Sequence, residues 1–252
     1  MSQFKFSIIT VVKNDDKNLE KTIKSILSQK NFDEIEYIII DGKSNDNTLQ
    51  IINKYKKEIN KIISEEDNGI YDAMNKGIKL SSGEIIGFCN SGDLLYPDGI
   101  EHLKKQFINN FDYVFGTVLR KYSGTEILKH GFNLKRIYYN FDFATSHSTG
   151  FYIKREVIKK IGYYDTQFKC SSDYDFYFRM IKSNLFKGGF TSVNEIVGEV
   201  QSGGYSSKVS FFDHLKEETK IRLKNRQNKI LIILIFINAI IKNFKKRLKF
   251  SR

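Results

Sequence analysis

An α/β fold built on a parallel sheet covered on both faces is what this sequence predicts, and three observations carry the prediction. Short apolar runs rich in β-branched residues recur through the N-terminal half. Stretches with apolar residues at helical spacing separate them. The runs end in clusters of Asp, Asn, Ser and Gly, where an open α/β sheet places its ligands.

Phe6–Val12 is the first strand. Leu19, Ile23, Ile26 and Leu27 then recur at helical spacing behind the turn formers Asn14, Asp15 and Asp16. Residues 37–40 form a second strand. A helix after Asp46 carries Leu49, Ile52 and Tyr55 on one side. A strand near Lys61–Ser64, a helix over Ile70–Leu80 and a strand over residues 84–89 continue the alternation, which implies right-handed crossovers. Beyond Pro97 the pattern loosens. Residues 111–119 and 150–153 have strand character, Arg155–Ile161 suits a short helix, and residues 173–181 suit a helix preceded by Ser171 and Ser172. No repeat or low-complexity linker interrupts the chain, so residues 1–220 form one domain, with halves 1–120 and 121–220, followed by a tail over 221–252.

Composition narrows the function classes. Of 252 residues 40% are hydrophobic and 14% aromatic, which suffices for a core and excludes disorder. The formal charge is +12, but residues 221–252 hold ten basic and no acidic side chains, leaving +2 for the rest. A nucleic-acid-binding protein spreads its basic footprint over the folded body, so nucleic acid is not expected as a partner. Cys89 and Cys170 are too few for a disulfide framework and suit a reducing compartment. Residues 1–5 lead into the first strand without a signal-peptide pattern, so a cytoplasmic body is expected.

The polar clusters at three strand ends are Lys13-Asn14-Asp15, Asp41-Gly42-Lys43-Ser44-Asn45-Asp46 and Asn90-Ser91-Gly92-Asp93. Turn formation and helix capping explain some of these side chains, Asp15 and Asp46 above all. Together with residues 64–78 (SEEDNGIYDAMNKGI) and 172–179 (SDYDFYFR), the segments 7–14 (SIITVVKN), 41–48 (DGKSNDNT) and 90–93 (NSGD) resemble, in order, the successive motifs of glycosyltransferase family 2. The likeness is to its bacterial polysaccharide-assembly members and covers residues 4–185.

That resemblance implies a GT-A fold, a Rossmann-like mixed sheet flanked by helices, and transfer of a sugar with inversion from a nucleotide-sugar to a glycan or lipid-linked saccharide. It implies that Asp41 meets the base of a UDP-sugar, with Thr10, Asn14, Asp67 and Asn75 also on the donor side. Lys13 stands where many relatives carry an aromatic residue; its methylenes suit covering a base. Asp93 is the expected ligand of Mn2+ or Mg2+, which would meet the departing diphosphate charge. Relatives often carry two acids there, whereas this chain keeps one. His147 is a candidate for the metal or the acceptor. Asp173 matches the second acid of the E-D-x-D pattern, the general base, while Ser172 replaces the first; Asp175 suits a helix-dipole acid.

Residues 230–241 are apolar except for Asn238 and lie between basic residues. As a helix, twelve residues span ~18 Å at ~1.5 Å each, short of a ~30 Å hydrocarbon core. A helical basic and apolar tail lying on an anionic membrane surface is expected, with packing on the body or a second subunit as the alternative. The first strand lacks the glycine-rich turn of a nucleotidyltransferase or a dinucleotide oxidoreductase. A membrane-surface module with a degenerate transferase body is the non-enzymatic alternative.

Overall fold

In the computed structural model, which describes residues 5–122, 124–139, 148–201, 203–204 and 208–250, β1 (Phe6–Val12) is buried at every position. The reason is its place in the centre of a sheet. Ile9 and Val11 enter one core while Phe6, Ile8 and Val12 enter the other, following the two-residue period of a strand. Parallel neighbours on either side are β2 (Ile35–Asp41) and β4 (Ile85–Phe88), and β3 (Lys61–Ser64) pairs outside β2.

Between these strands run α1 (Leu19–Leu27), α2 (Thr48–Lys54) and α3 (Ile70–Leu80). Leu19, Ile23 and Ile26 of α1 join one core and Ala73, Met74 and Ile78 of α3 the opposite one, so both faces are covered. After β4 come β5 (Leu94–Leu95), α4 (Gly99–Ile108), β6 (Tyr113–Phe115), β7 (Thr117–Tyr122), β8 (Thr125–Lys129) and α5 (Leu134–Tyr139). The chain continues through β9 (Phe151–Lys154), α6 (Arg155–Ile161), α7 (Ser172–Ser183), β10 (Gly188–Phe190), β11 (Ile196–Gln201), α8 (Phe211–Lys224) and α9 (Lys229–Phe250).

The main sheet is mixed, with order β10-β6-β9-β4-β1-β2-β3 and β9 antiparallel to both neighbours; a second sheet runs β5-β11-β7-β8. Residues 111–119 are therefore two strands in two sheets rather than one. The break is Gly116, where an added Cβ would come within 2.5 Å of Val197 Cγ2, so the backbone passes β11 only without a side chain.

Residue 120 falls inside β7, and residue 220 inside α8, whose Ile221 and Arg222 are fully buried. Of the ten tail cations, Arg222 bonds the Tyr138 carbonyl and Lys224 pairs with Asp165 and Asp175. The tail proper is α9. Its Ile232 and Ile235 pack inward, while Ile230, Ile233, Leu234, Ile237 and Phe244 are exposed. Among the described residues no helix is long and apolar enough to cross a membrane.

A charged group is also buried under the sheet. Glu36 of β2, 1% exposed, accepts from Lys61 Nζ at 2.7 Å and from the Ser82 N–H at 2.6 Å, and the Ser7 hydroxyl also donates to it. Burial pushes its carboxyl up, but these bonds outweigh it and hold it at about 2, against an ordinary 4.5. A depressed carboxylate stabilises the fold above its unfolded pKa, and the contribution fades as pH falls toward the folded value. Glu36→Gln is therefore expected to cost about 2 kcal/mol at pH 7 and far less near pH 3. Urea unfolding at both pH values measures it; an equal deficit at both would show that the charge is immaterial.

Candidate functional site

The carboxyl ends of β1, β2 and β4 carry three polar loops that are tied to one another. Asn14, in the left-handed region at φ 53°, donates its N–H to Ser44 Oγ at 2.8 Å and accepts from the Asn45 N–H at 2.9 Å. Asp15 accepts from Ser91 Oγ at 2.7 Å, which joins the first loop to the third. Asp46 accepts the Thr48 N–H at 3.0 Å and so fixes the turn into α2.

Asp41 is fully buried. Its carboxylate accepts from the Ser44 hydroxyl and N–H and from Ser64 Oγ at 2.6 Å, so it holds the start of the DGKSND loop against the end of β3. Two further donor-side expectations meet structural roles. Thr10 is fully buried within the sheet, donating to the Cys89 carbonyl at 2.7 Å and lying 3.2 Å from the Tyr37 hydroxyl. Asn75 is buried on α3 and clamps Tyr164, donating to its carbonyl at 2.9 Å and accepting its N–H at 3.0 Å. A position within a strand and a helix in a motif gave no hint that both side chains bond backbone atoms of distant segments.

Asp67, expected on the donor side, lies beside the glycine of the DGKSND loop. An added Cβ at Gly42 would sit 2.9 Å from Asp67 Oδ2 and 3.2 Å from Lys13 Cδ. The glycine of the D-G pair thus lets Lys13 and Asp67 close over the backbone. Asp67 pairs with Lys76 at 2.7 Å, and Lys76 also reaches Glu65 at 2.9 Å. Lys76, on α3, thus bridges two acids of the segment that precedes its helix.

Asp93 is 5% exposed and accepts from Thr149 Oγ1 at 2.6 Å and from the Gln201 N–H at 3.2 Å. Among the described residues no three His, Cys, Asp or Glu side chains converge as a metal site. This donor set fits a cation carried mainly by diphosphate and water, with one carboxylate from the protein; it does not fit an all-protein cage. His147 lies outside the described residues.

Asp173 stands in the first turn of α7, accepting the Tyr174 N–H at 2.8 Å and the Tyr71 hydroxyl at 3.2 Å. Burial raises its carboxyl above the ordinary carboxylate range, against the pull of those two bonds and of His214. Tyr71 also lines a cavity of about 230 Å³ with Asn68, Ile70, Thr166, Phe168 and Lys169. The base candidate thus adjoins a concave surface. Asp175 is more than a dipole acid: it is fully buried and meets Arg179, Lys224 and Asn225. Tyr71 and the α8 side chains around Asp173 carried no sequence signal, because their proximity depends on contacts about 40 to 100 residues apart.

Comparison with known proteins gives this cleft its context. The glycosyl transferase family 2 model matches residues 7–180. A PGL/p-HBAD biosynthesis glycosyltransferase of Mycobacterium bovis is 27% identical over 240 residues, 91% of this chain and 89% of that protein. An uncharacterized glycosyltransferase of Mycobacterium tuberculosis is 29% identical over 178 residues, 69% of this chain and 67% of its own. In structure the chain is similar to TarS of S. aureus in complex with UDP-GlcNAc, at TM-score 0.72 and 17% identity, covering 96% of this chain and 73% of TarS. It is also similar to a mannosyltransferase of Pyrobaculum calidifontis in complex with GDP-Man and Mn2+, at TM-score 0.65 and 15% identity, covering 93% and 68%. The fold is the expected GT-A fold, and with the family model spanning most of the chain, this protein belongs to glycosyltransferase family 2.

Proposed function

We propose that this glycosyltransferase moves a hexosyl or N-acetylhexosaminyl group, with inversion, from a UDP-sugar to a glycan or lipid-linked saccharide in cell-surface polysaccharide assembly. The observation that carries the reading is Asp173, a carboxyl of raised pKa beside the cavity that Tyr71 lines. Asp173 takes the proton of the acceptor hydroxyl as its oxygen attacks the anomeric carbon, and the bond from that carbon to the diphosphate oxygen breaks on the opposite face. The electron pair leaves with the nucleoside diphosphate. Asp93 is the residue that would hold Mn2+ or Mg2+, which supplies positive charge to the leaving diphosphate when bound. Asp41 and Asp67 would meet the base, where a uracil imide N–H would displace the Ser64 hydroxyl from Asp41, and Asn14 ties the first loop to the second.

UDP-GlcNAc in TarS and GDP-Man in the archaeal enzyme support a nucleotide-sugar donor for the fold. The test is a thermal-shift and turnover screen with UDP-, GDP- and dTDP-sugars, with and without Mn2+. A UDP-sugar is expected to give the largest shift; no shift and no turnover across the panel would favour a non-catalytic module.

The enzyme is further proposed to work as a peripheral protein on the inner face of the cytoplasmic membrane. Support comes from the exposed Ile230, Ile233, Leu234, Ile237 and Phe244 of α9, set among cations without an acidic residue in the same segment. Deleting residues 229–252 is expected to lower sedimentation with phosphatidylglycerol vesicles at least tenfold, and salt to weaken binding of the full chain. Equal sedimentation of both forms would remove the proposal.

A further inference from the structure

One antiparallel strand brings a buried hydroxyl to Asp93. β9 runs against β4, with Lys154 opposite Ile85 and Tyr152 opposite Gly87, so the residues that enter β9 lie at the carboxyl end of β4. A short 3-10 turn, Ser148–Gly150, makes that entry. Its last residue is fixed by its carbonyl, which accepts the Gly116 N–H at 2.7 Å. Thr149, in the middle of the turn, is thereby set beside the loop that follows β4.

Thr149 is fully buried, and its hydroxyl donates to Asp93 Oδ2 at 2.6 Å. The other oxygen, Oδ1, accepts the Gln201 N–H at 3.2 Å from the end of β11. A donor on each oxygen, from segments 56 and 108 residues away, fixes the plane of the carboxylate. Among the described residues no three metal-ligating side chains converge, so hydrogen bonds rather than a cage of neighbouring ligands set its direction. Of these two donors only Thr149 uses a side chain. Threonine suits the task, since branching at Cβ restricts its rotamers and keeps the hydroxyl aimed.

We propose that Thr149 is a positioning residue for the metal, its hydroxyl holding the Asp93 carboxylate in the orientation in which it would bind Mn2+ or Mg2+. The inference rests on the reading of Asp93 as the metal residue. A carboxylate that must be ordered when the cation arrives gives up part of its affinity to that ordering, whereas one already held does not. The hydroxyl donates a hydrogen bond and takes no proton, so it aims the carboxylate without neutralising it. It also ties the metal residue to the strand that crosses between β4 and β6, and so to the half of the chain that carries Asp173.

The experiment uses the full chain with Mn2+ and UDP as probes, and compares wild type, Thr149→Val, Thr149→Ser and Asp93→Asn. Mn2+ is titrated into protein saturated with UDP, and the ion left free is read by electron paramagnetic resonance. UDP binding without metal and melting temperature are measured beside it. Valine keeps the shape of threonine and removes the donor, so Thr149→Val is expected to weaken Mn2+ binding about tenfold. Its metal-free UDP binding should be that of wild type, and its melting temperature lower by only about 2–4 °C. Thr149→Ser restores the donor and should bind Mn2+ within about twofold of wild type. Mn2+ affinity in Thr149→Val within about twofold of wild type would overturn the inference. So would equal weakening in Thr149→Ser, which would assign the effect to packing, or a parallel loss of metal-free UDP binding, which would mark Thr149 as structural. Equal Mn2+ uptake by wild type and Asp93→Asn, or none by either, would bring down the reading of Asp93 itself, and this inference with it.

Discussion

Asp173→Asn is expected to lower turnover by about 10²–10⁴-fold while leaving the thermal shift with UDP-sugar as in wild type. The substitution keeps the size of the side chain and an oxygen able to accept from the Tyr174 N–H and the Tyr71 hydroxyl, the two bonds that fix Asp173 Oδ1. What it removes is the ability to take a proton. The proposed donor-side residues Asp41, Asp67 and Asp93 lie on other elements and remain in place. Because the wild-type carboxyl is raised by burial, the acidic limb of its rate profile should lie above the ordinary carboxylate range. Activity is lost as pH falls through that limb, since only the ionised form acts as base. Unchanged turnover in the variant would remove Asp173 from the reaction. Loss of UDP-sugar binding together with turnover would make it a donor residue instead.

The features legible in the sequence are those set by local periodicity. Phe6–Val12, Ile70–Leu80 and Arg155–Ile161 have the bounds that apolar spacing and turn residues imply, since each buries a face whose period is visible in a short window. Residues 111–119 were less legible because the switch between sheets at Gly116 is forced by Val197, distant in sequence. The same limit applies to side-chain roles. Thr10 and Asn75 carry polar groups into places where the partners are backbone atoms of Cys89 and Tyr164. Asp41 stands at a strand end as expected, but its burial under two serines is a tertiary fact. Charge counting placed all ten C-terminal cations in a tail, whereas Arg222 and Lys224 serve the body.

That reassignment of Lys224 leads to the largest expected effect on stability. Asp175→Ala should cost about 3–5 kcal/mol, read as a lower urea midpoint with an unchanged slope. Asp175 is fully buried and receives Arg179 Nε at 2.8 Å, Asn225 Nδ2 at 3.0 Å and Lys224 Nζ at 3.2 Å. Arg179 comes from one turn along α7, while Lys224 and Asn225 come from the end of α8, so one carboxylate ties the two helices together. Removing it leaves Arg179 facing Lys224 with no anion between them. Arg179 keeps its bonds to the Ile161 and Tyr163 carbonyls, and Lys224 keeps Asp165 at 2.6 Å, which favours the lower end of the range. Asp175→Asn retains a hydrogen-bond acceptor without the charge and should fall between wild type and Ala. If Asp175 acted only on the dipole of α7, either substitution would cost at most about 1 kcal/mol. A loss of that size would detach α8 from the argument and leave Asp175 as a helix-end acid.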